Sequence, residues 1–131
     1  MHLQAALITL LTVVIIAVAM MLVGRARGQF QVHAPATTGH PDFERAFRAH
    51  QNTLEQTVMF LPLLWLASVY SNEQWAAWSG YAWLVGRAWY LFGYVYTVDG
   101  RGRSGGFLVS TLAVVALLVM GLWAVLPQLF S

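Results

Sequence analysis

From Leu3 to Val23 the chain is apolar apart from Gln4, Thr9 and Thr12. At about 1.5 Å of rise per residue such a helix crosses a hydrocarbon core of about 30 Å. No basic stretch precedes this run and no clean small-residue cleavage site follows it, so a retained span is expected rather than a signal peptide. Residues 24–41 carry Gly, Pro, Thr and Arg with no sustained period and read as a loop. Asp42 is a candidate N-cap for a second helix from about Phe43 to Tyr70, strongly apolar only after Gln56 and with a kink expected at Pro62. Ser71, Asn72 and Glu73 make a very short turn. A third apolar segment covers roughly Trp75 to Val98, with Trp and Tyr at both ends as in an interfacial aromatic belt. After a turn at Asp99–Gly106, a fourth runs from about Phe107 to Leu126, and Pro127 marks its end. The pattern predicts an all-α fold, an integral membrane up-down four-helix bundle in a single domain spanning 1–131, with spans near 3–24, 43–70, 75–98 and 106–126.

Composition sharpens this picture. Hydrophobic types make up 59% of the 131 residues and charged types 9%, against roughly a quarter charged in soluble proteins. So few charges could not cover a water-facing surface. All 7 basic residues are Arg, set against 5 acidic ones, and they are scattered rather than interleaved with aromatics, which excludes a phosphate track for nucleic acid. Without cysteine there is no disulfide, thiolate metal ligand or cysteine nucleophile. The 4 His have no metal-ligand spacing, so no metal is expected, and His2, His33 and His40 read as solvated. Arg25 and Arg27 lie in the first loop and Arg101 and Arg103 in the third, while the second carries only Glu73. The positive-inside bias therefore predicts that loops one and three face the cytoplasm and both termini the opposite side.

The second segment is unusually polar. Glu44, Arg45, Arg48, His50, Asn52 and Glu55 fall within one short stretch, and ionisable groups at membrane depth usually face protein or a wet cavity. Arg48, Asn52 and Glu55 share one helical face, with Arg45 one turn below; on the third segment Arg87, Tyr90 and Tyr94 share a stripe by the same spacing. Two facing stripes could enclose a polar, anionic ligand. The structural alternative is that these groups satisfy one another, Arg48 with Glu55 or Glu44 and Arg87 with a carboxylate of the second helix. In VDGRGRSGG, Arg101 and Arg103 precede the fourth helix, which Ser104 can cap; the positive end of the helix dipole and two guanidiniums would hold an anion there, or the arginines merely set topology. The loop glycines suit a turn as well as close ligand approach.

At FERAFRAHQNTLEQTVMFLPLLWLASVY the sequence resembles the MAPEG family, membrane-associated proteins in eicosanoid and glutathione metabolism, in register from APATTGHPDFER through GRAWYLFGYVYTVDGRGR. The RAxxNxxE pattern at Arg48–Glu55 and the R-x-x-Y-x-x-x-Y spacing at Arg87–Tyr94 carry the resemblance. It implies homotrimers of four-helix subunits, with glutathione as cosubstrate bound between neighbours near the cytosolic face. It implies glutathione contacts at Arg48, Asn52 and Glu55, at Tyr90 and Tyr94, and at Arg27 in the first loop; His50 and Arg87 join the expected binding set. Arg101 matches the arginine that stabilises the thiolate, though Arg103 stands two residues away. His50 is the residue found in prostaglandin-synthase-like members. Gly28 and Gln56 depart from the leukotriene-synthase pattern of Arg and Tyr. The implied activity is a membrane-embedded, detoxification-type glutathione transferase: the thiolate attacks a lipophilic electrophile arriving from membrane lipid, with peroxide reduction a compatible side activity. Two alternatives stand beside it, a glutathione-dependent prostaglandin-synthase-like isomerase and a non-catalytic lipid-binding protein of the same fold.

Overall fold

A computed structural model describes residues 1–97 and 100–131. Val98, the expected end of the third segment, and Asp99, the expected start of the following turn, lie outside the described residues. Among the described residues there are four α-helices and no strand: α1 (Leu3–Phe30), α2 (Pro41–Tyr70), α3 (Glu73–Tyr96) and α4 (Arg103–Leu129). α1 packs on α2 and α3, and α4 on α3 and α2, so α2 and α3 form the central pair.

Helix ends depart from the expected ones for identifiable reasons. α1 does not stop near Gly24 but continues to Phe30, because Ala19, Val23 and Ala26 keep one buried stripe going while Gly24 and Gly28 face open space. Gln31, in the left-handed conformation, ends it. α2 is capped not by Asp42 but by His40, whose Nδ1 accepts from the Asp42 N–H at 3.1 Å and whose ring stacks on Phe30 at 4.0 Å. Pro41 then occupies the first turn, where a missing N–H does no harm. His40 is therefore structural rather than merely solvated. α2 runs on through Pro62. Asn72 caps α3 by accepting from the Trp75 N–H at 2.9 Å. α4 begins at Arg103, three residues ahead of the expected start, with Gly102 at the cap and no side-chain cap bond; Ser104 lies inside the helix, and so does Pro127.

Glycine sets how closely α3 and α4 approach. A Cβ on Gly86 would lie 2.7 Å from the Ser110 N and 3.1 Å from the Gly106 O; one on Gly106 would lie 2.5 Å from the Gly86 O and 2.8 Å from the Tyr90 Cα. Gly93 and Gly102 meet backbone to backbone one turn further on. Small residues at such a seam let two backbones touch where lipid offers no hydrophobic drive. The consequence is positional: the first turn of α4 lies against Tyr90 and Tyr94.

The interior is built around Phe60 stacked on Trp83 at 3.9 Å, with Ile8, Leu64, Leu91 and Leu117 fully buried. Buried hydroxyls of Thr12, Thr53, Thr57 and Ser68 donate to the carbonyl four residues back, which removes their need for water. The outside is apolar. Met21, Val58, Val85 and Trp123 are 70%, 74%, 66% and 83% exposed, one on each helix. Exposed apolar surface on this scale calls for lipid or partner chains. α1 and α4 are each long and apolar enough to cross a membrane.

Candidate functional site

Part of each stripe foreseen on α2 and α3 faces the other, and α4 closes the two into a cavity. Arg48 and Asn52 of α2, Tyr90 and Tyr94 of α3, and Arg103, Ser104 and Phe107 of α4 line a space of about 410 Å³. That volume falls within the ~300–1,000 Å³ typical of small-molecule sites. Two guanidiniums line it and, among the described residues, no carboxylate does. Arg103 lies over the Tyr94 ring at 4.5 Å and donates from Nη1 to the Gly100 carbonyl at 3.1 Å, so the loop fixes its direction. Gly100 has a φ of 68°, which favours glycine, and a side chain there would run into Tyr94. The first turn of α4, whose Gly102 N–H is held by Thr97 Oγ1 at 2.8 Å, adds the positive end of its dipole. The arrangement suits an anion carrying more than one acceptor group.

Arg87 stands behind this wall rather than in it. Fully buried, it donates from Nη2 to Asn52 Oδ1 and to Thr53 Oγ1, both at 2.9 Å, and from Nη1 to Ser110 Oγ at 3.3 Å. Its guanidinium carbon sits 3.9 Å from the Tyr90 ring centroid. The expected alternative, an ion pair with a carboxylate of the second helix, is absent among the described residues; neutral oxygens from α2 and α4 and one aromatic face hold the charge instead. Because Asn52 Oδ1 is taken by Arg87, its amide N–H groups are left for the cavity. Arg87 thus sets Asn52 as a donor, which again selects for an acceptor-bearing ligand.

Of the other expected residues, Arg27 donates to the Val32 carbonyl at 3.3 Å and the Ala36 carbonyl at 2.8 Å and lies 4.8 Å over the Phe43 ring, so within one chain it braces the first loop. Half-buried His50, exposed Glu55 and exposed Arg101 do not line the cavity. Gln56 is buried: it accepts from Trp83 Nε1–H at 3.0 Å and donates from Nε2 to Thr111 Oγ1 at 3.2 Å, tying α2 to α3 and α4. Phe107 was missed as a lining residue, and Ser104 was taken as a cap. Once the helix starts at Arg103, Phe107 falls four residues from Arg103 and three from Ser104, the spacings that bring it beside each of them.

A profile of the MAPEG family matches residues 5–123. The chain belongs to the MAPEG family. An uncharacterized protein of Synechocystis sp. is 45% identical over 120 residues, covering 90% of this chain and 88% of that protein. Human microsomal glutathione S-transferase 2 is 41% identical over 98 residues, 75% of this chain and 65% of its own length. Leukotriene C4 synthase of Cavia porcellus is 44% identical over 96 residues, 73% of this chain and 64% of its own. The chain thus spans just under two thirds of the length of these two named MAPEG relatives.

Proposed function

We propose that the chain is an integral membrane glutathione transferase. The observation that carries this reading is the cavity itself, where Arg48, Arg103, the Asn52 amide and the N-terminal end of α4 converge with no opposing carboxylate among the described residues. Glutathione brings two carboxylates, which guanidiniums bind with charge-assisted and often bidentate hydrogen bonds. Glu55, exposed on α2, carries the charge needed to pair its ammonium. The relatives named as a glutathione S-transferase and a leukotriene synthase support the same cosubstrate. Both carboxylate-binding arginines and both tyrosines come from one chain; Arg27, Glu55 and Arg101 stand outside that cavity, and the homotrimer implied by the family pattern would supply them from a neighbour.

All four helices cross the bilayer in this reading, with the end bearing Arg25, Arg27, Arg101 and Arg103 on the cytoplasmic side. A thiol of pKa about 8.5 is mostly protonated at neutral pH, and the thiolate is the nucleophile. A guanidinium beside the sulfur lowers that pKa without giving up its own proton. The family pattern assigns this to Arg101, while Arg103, on the cavity wall, is assigned to a carboxylate. The sulfur then forms a bond to an electrophilic carbon of a lipophilic acceptor, and the displaced electron pair leaves on the departing group or is protonated on the acceptor. The isomerase reading rested on His50, which does not line the cavity.

Calorimetry on the detergent-solubilised protein tests the binding step. Glutathione should bind, and Arg48→Ala should weaken it by roughly ten- to a hundredfold, the worth of about 1.5–3 kcal/mol for a hydrogen bond to a charged group. No heat of binding by the wild-type chain would leave the non-catalytic lipid-binding reading in its place.

A further inference from the structure

A second cavity of about 410 Å³ opens where the last turns of α1 meet the first turns of α2 and the end of α3. It shares no lining residue with the first: α1 borders only this one and α4 only the other. Among the described residues its charged wall consists of Arg25, Arg45 and Asp42. Asp42 is ion-paired with Arg45 one turn along α2, so its charge is spent locally. Arg25 makes no hydrogen bond or ion pair among the described residues, and neither does the Gln29 amide beside it. The buried Nε of Arg45 also lacks a hydrogen-bond partner. Among the described residues one guanidinium is therefore in surplus over the carboxylate, with neutral and charged N–H donors around it.

The depth of this cavity in the bilayer narrows the class of anion. The apolar run of α1 ends at Val23, and Leu22 and Arg25, one turn apart, both line the wall. Tyr96, an aromatic of the kind that marks the membrane interface, lines it as well. Above Arg25 on the same helical stripe, Met21 and Val14 are 70% and 55% exposed and give an apolar track along α1 toward the bilayer centre. A cationic recess at headgroup depth beneath an open apolar stripe matches a molecule that is anionic at one end and hydrocarbon at the other.

We propose that this recess holds the phosphate of an anionic phospholipid, gripped by Arg25 and Arg45, with an acyl chain lying along Met21 and Val14. The site uses only the membrane-embedded frame and is independent of how glutathione is bound.

The full-length protein, purified in detergent and exposed to equal amounts of phosphatidylglycerol and phosphatidylcholine, is examined by native mass spectrometry and by thermal melting. The wild type should retain phosphatidylglycerol preferentially and melt higher with it. Arg25→Gln, a change at an exposed side chain, should lower that retention on the order of fivefold, the effect of one basic group at an anionic surface, and Arg25→Lys should recover most of it. Inorganic phosphate at the same concentration should not raise the melting temperature. Equal retention by wild type and Arg25→Gln would overturn the proposal. So would stabilisation by inorganic phosphate alone, which would reassign the site to a soluble anion. Glutathione affinity should be unchanged in Arg25→Gln, and its parallel loss would merge the two cavities into one and defeat the claim of a separate site.

Discussion

Replacing Gly106 by alanine tests the link between the α3–α4 seam and the ligand cavity. The added methyl would sit 2.5 Å from the Gly86 O and 2.8 Å from the Tyr90 Cα, about 0.9 Å and 0.6 Å short of the 3.4 Å at which ordinary contact begins. These two and the still nearer Tyr90 N are all backbone, so no rotamer change relieves them and the helices must separate by about 1 Å. Overpacking of this kind destabilises by about 1–3 kcal/mol, only partly offset by the roughly 1 kcal/mol that alanine gains over glycine inside a helix. The functional effect should be larger than the loss of stability. Arg103, Ser104 and Phe107 ride on α4 and Tyr90 and Tyr94 on α3, and a displacement of about 1 Å between catalytic or binding groups can cost on the order of a hundredfold in rate. Gly121→Ala is the internal control: same helix, same chemical change, nothing within 4 Å of the new methyl. Glutathione calorimetry and thermal melting of the two variants side by side should show Gly106→Ala melting lower and binding at least tenfold more weakly, and Gly121→Ala unchanged or slightly more stable. Equal melting and equal affinity for both would refute the seam as the device that builds the cavity.

Two further substitutions separate positioning from binding. Arg87→Met removes a buried charge together with its hold on Asn52 and Tyr90; the fold should survive because no carboxylate is left unpaired, while glutathione affinity falls, and unchanged calorimetric affinity would remove Arg87 from the account. Gln56→Leu leaves the Trp83 N–H buried with no acceptor and should lower stability by about 1–3 kcal/mol with little change in glutathione affinity; a stability loss below the resolution of thermal melting would contradict the bridging role.

The helix count was legible because each apolar run is long and each connection short, and the polar stripes were legible because Arg48 and Asn52, and likewise Tyr90 and Tyr94, repeat at helical spacing. The far end of α1 was not legible in the same way: Gly24, Arg25 and Gly28 carry the marks of a loop, yet the helix needs only Val23 and Ala26 to remain buried and lets the glycines face outward. The glycines of the third turn misled in the opposite sense. Gly102 and Gly106 read as turn or ligand-approach residues but serve contact between α3 and α4, a property of the partner helix that local pattern cannot report. The same applies to Arg87, whose spacing placed it with the tyrosines although three-dimensional packing sets it behind them, and to Phe107, which became a lining residue only once α4 was seen to start at Arg103.

The central claim is that this cavity binds glutathione and that a guanidinium of the third loop holds its sulfur as the thiolate. Ultraviolet difference absorbance of the wild-type chain mixed with glutathione at neutral pH measures this directly. Thiolate absorbance should appear in proportion to bound glutathione, vanish in Arg101→Ala with binding retained, and persist in Arg103→Ala to the extent that glutathione still binds. Bound glutathione with no thiolate signal, or a signal that survives both substitutions at full strength, would contradict it.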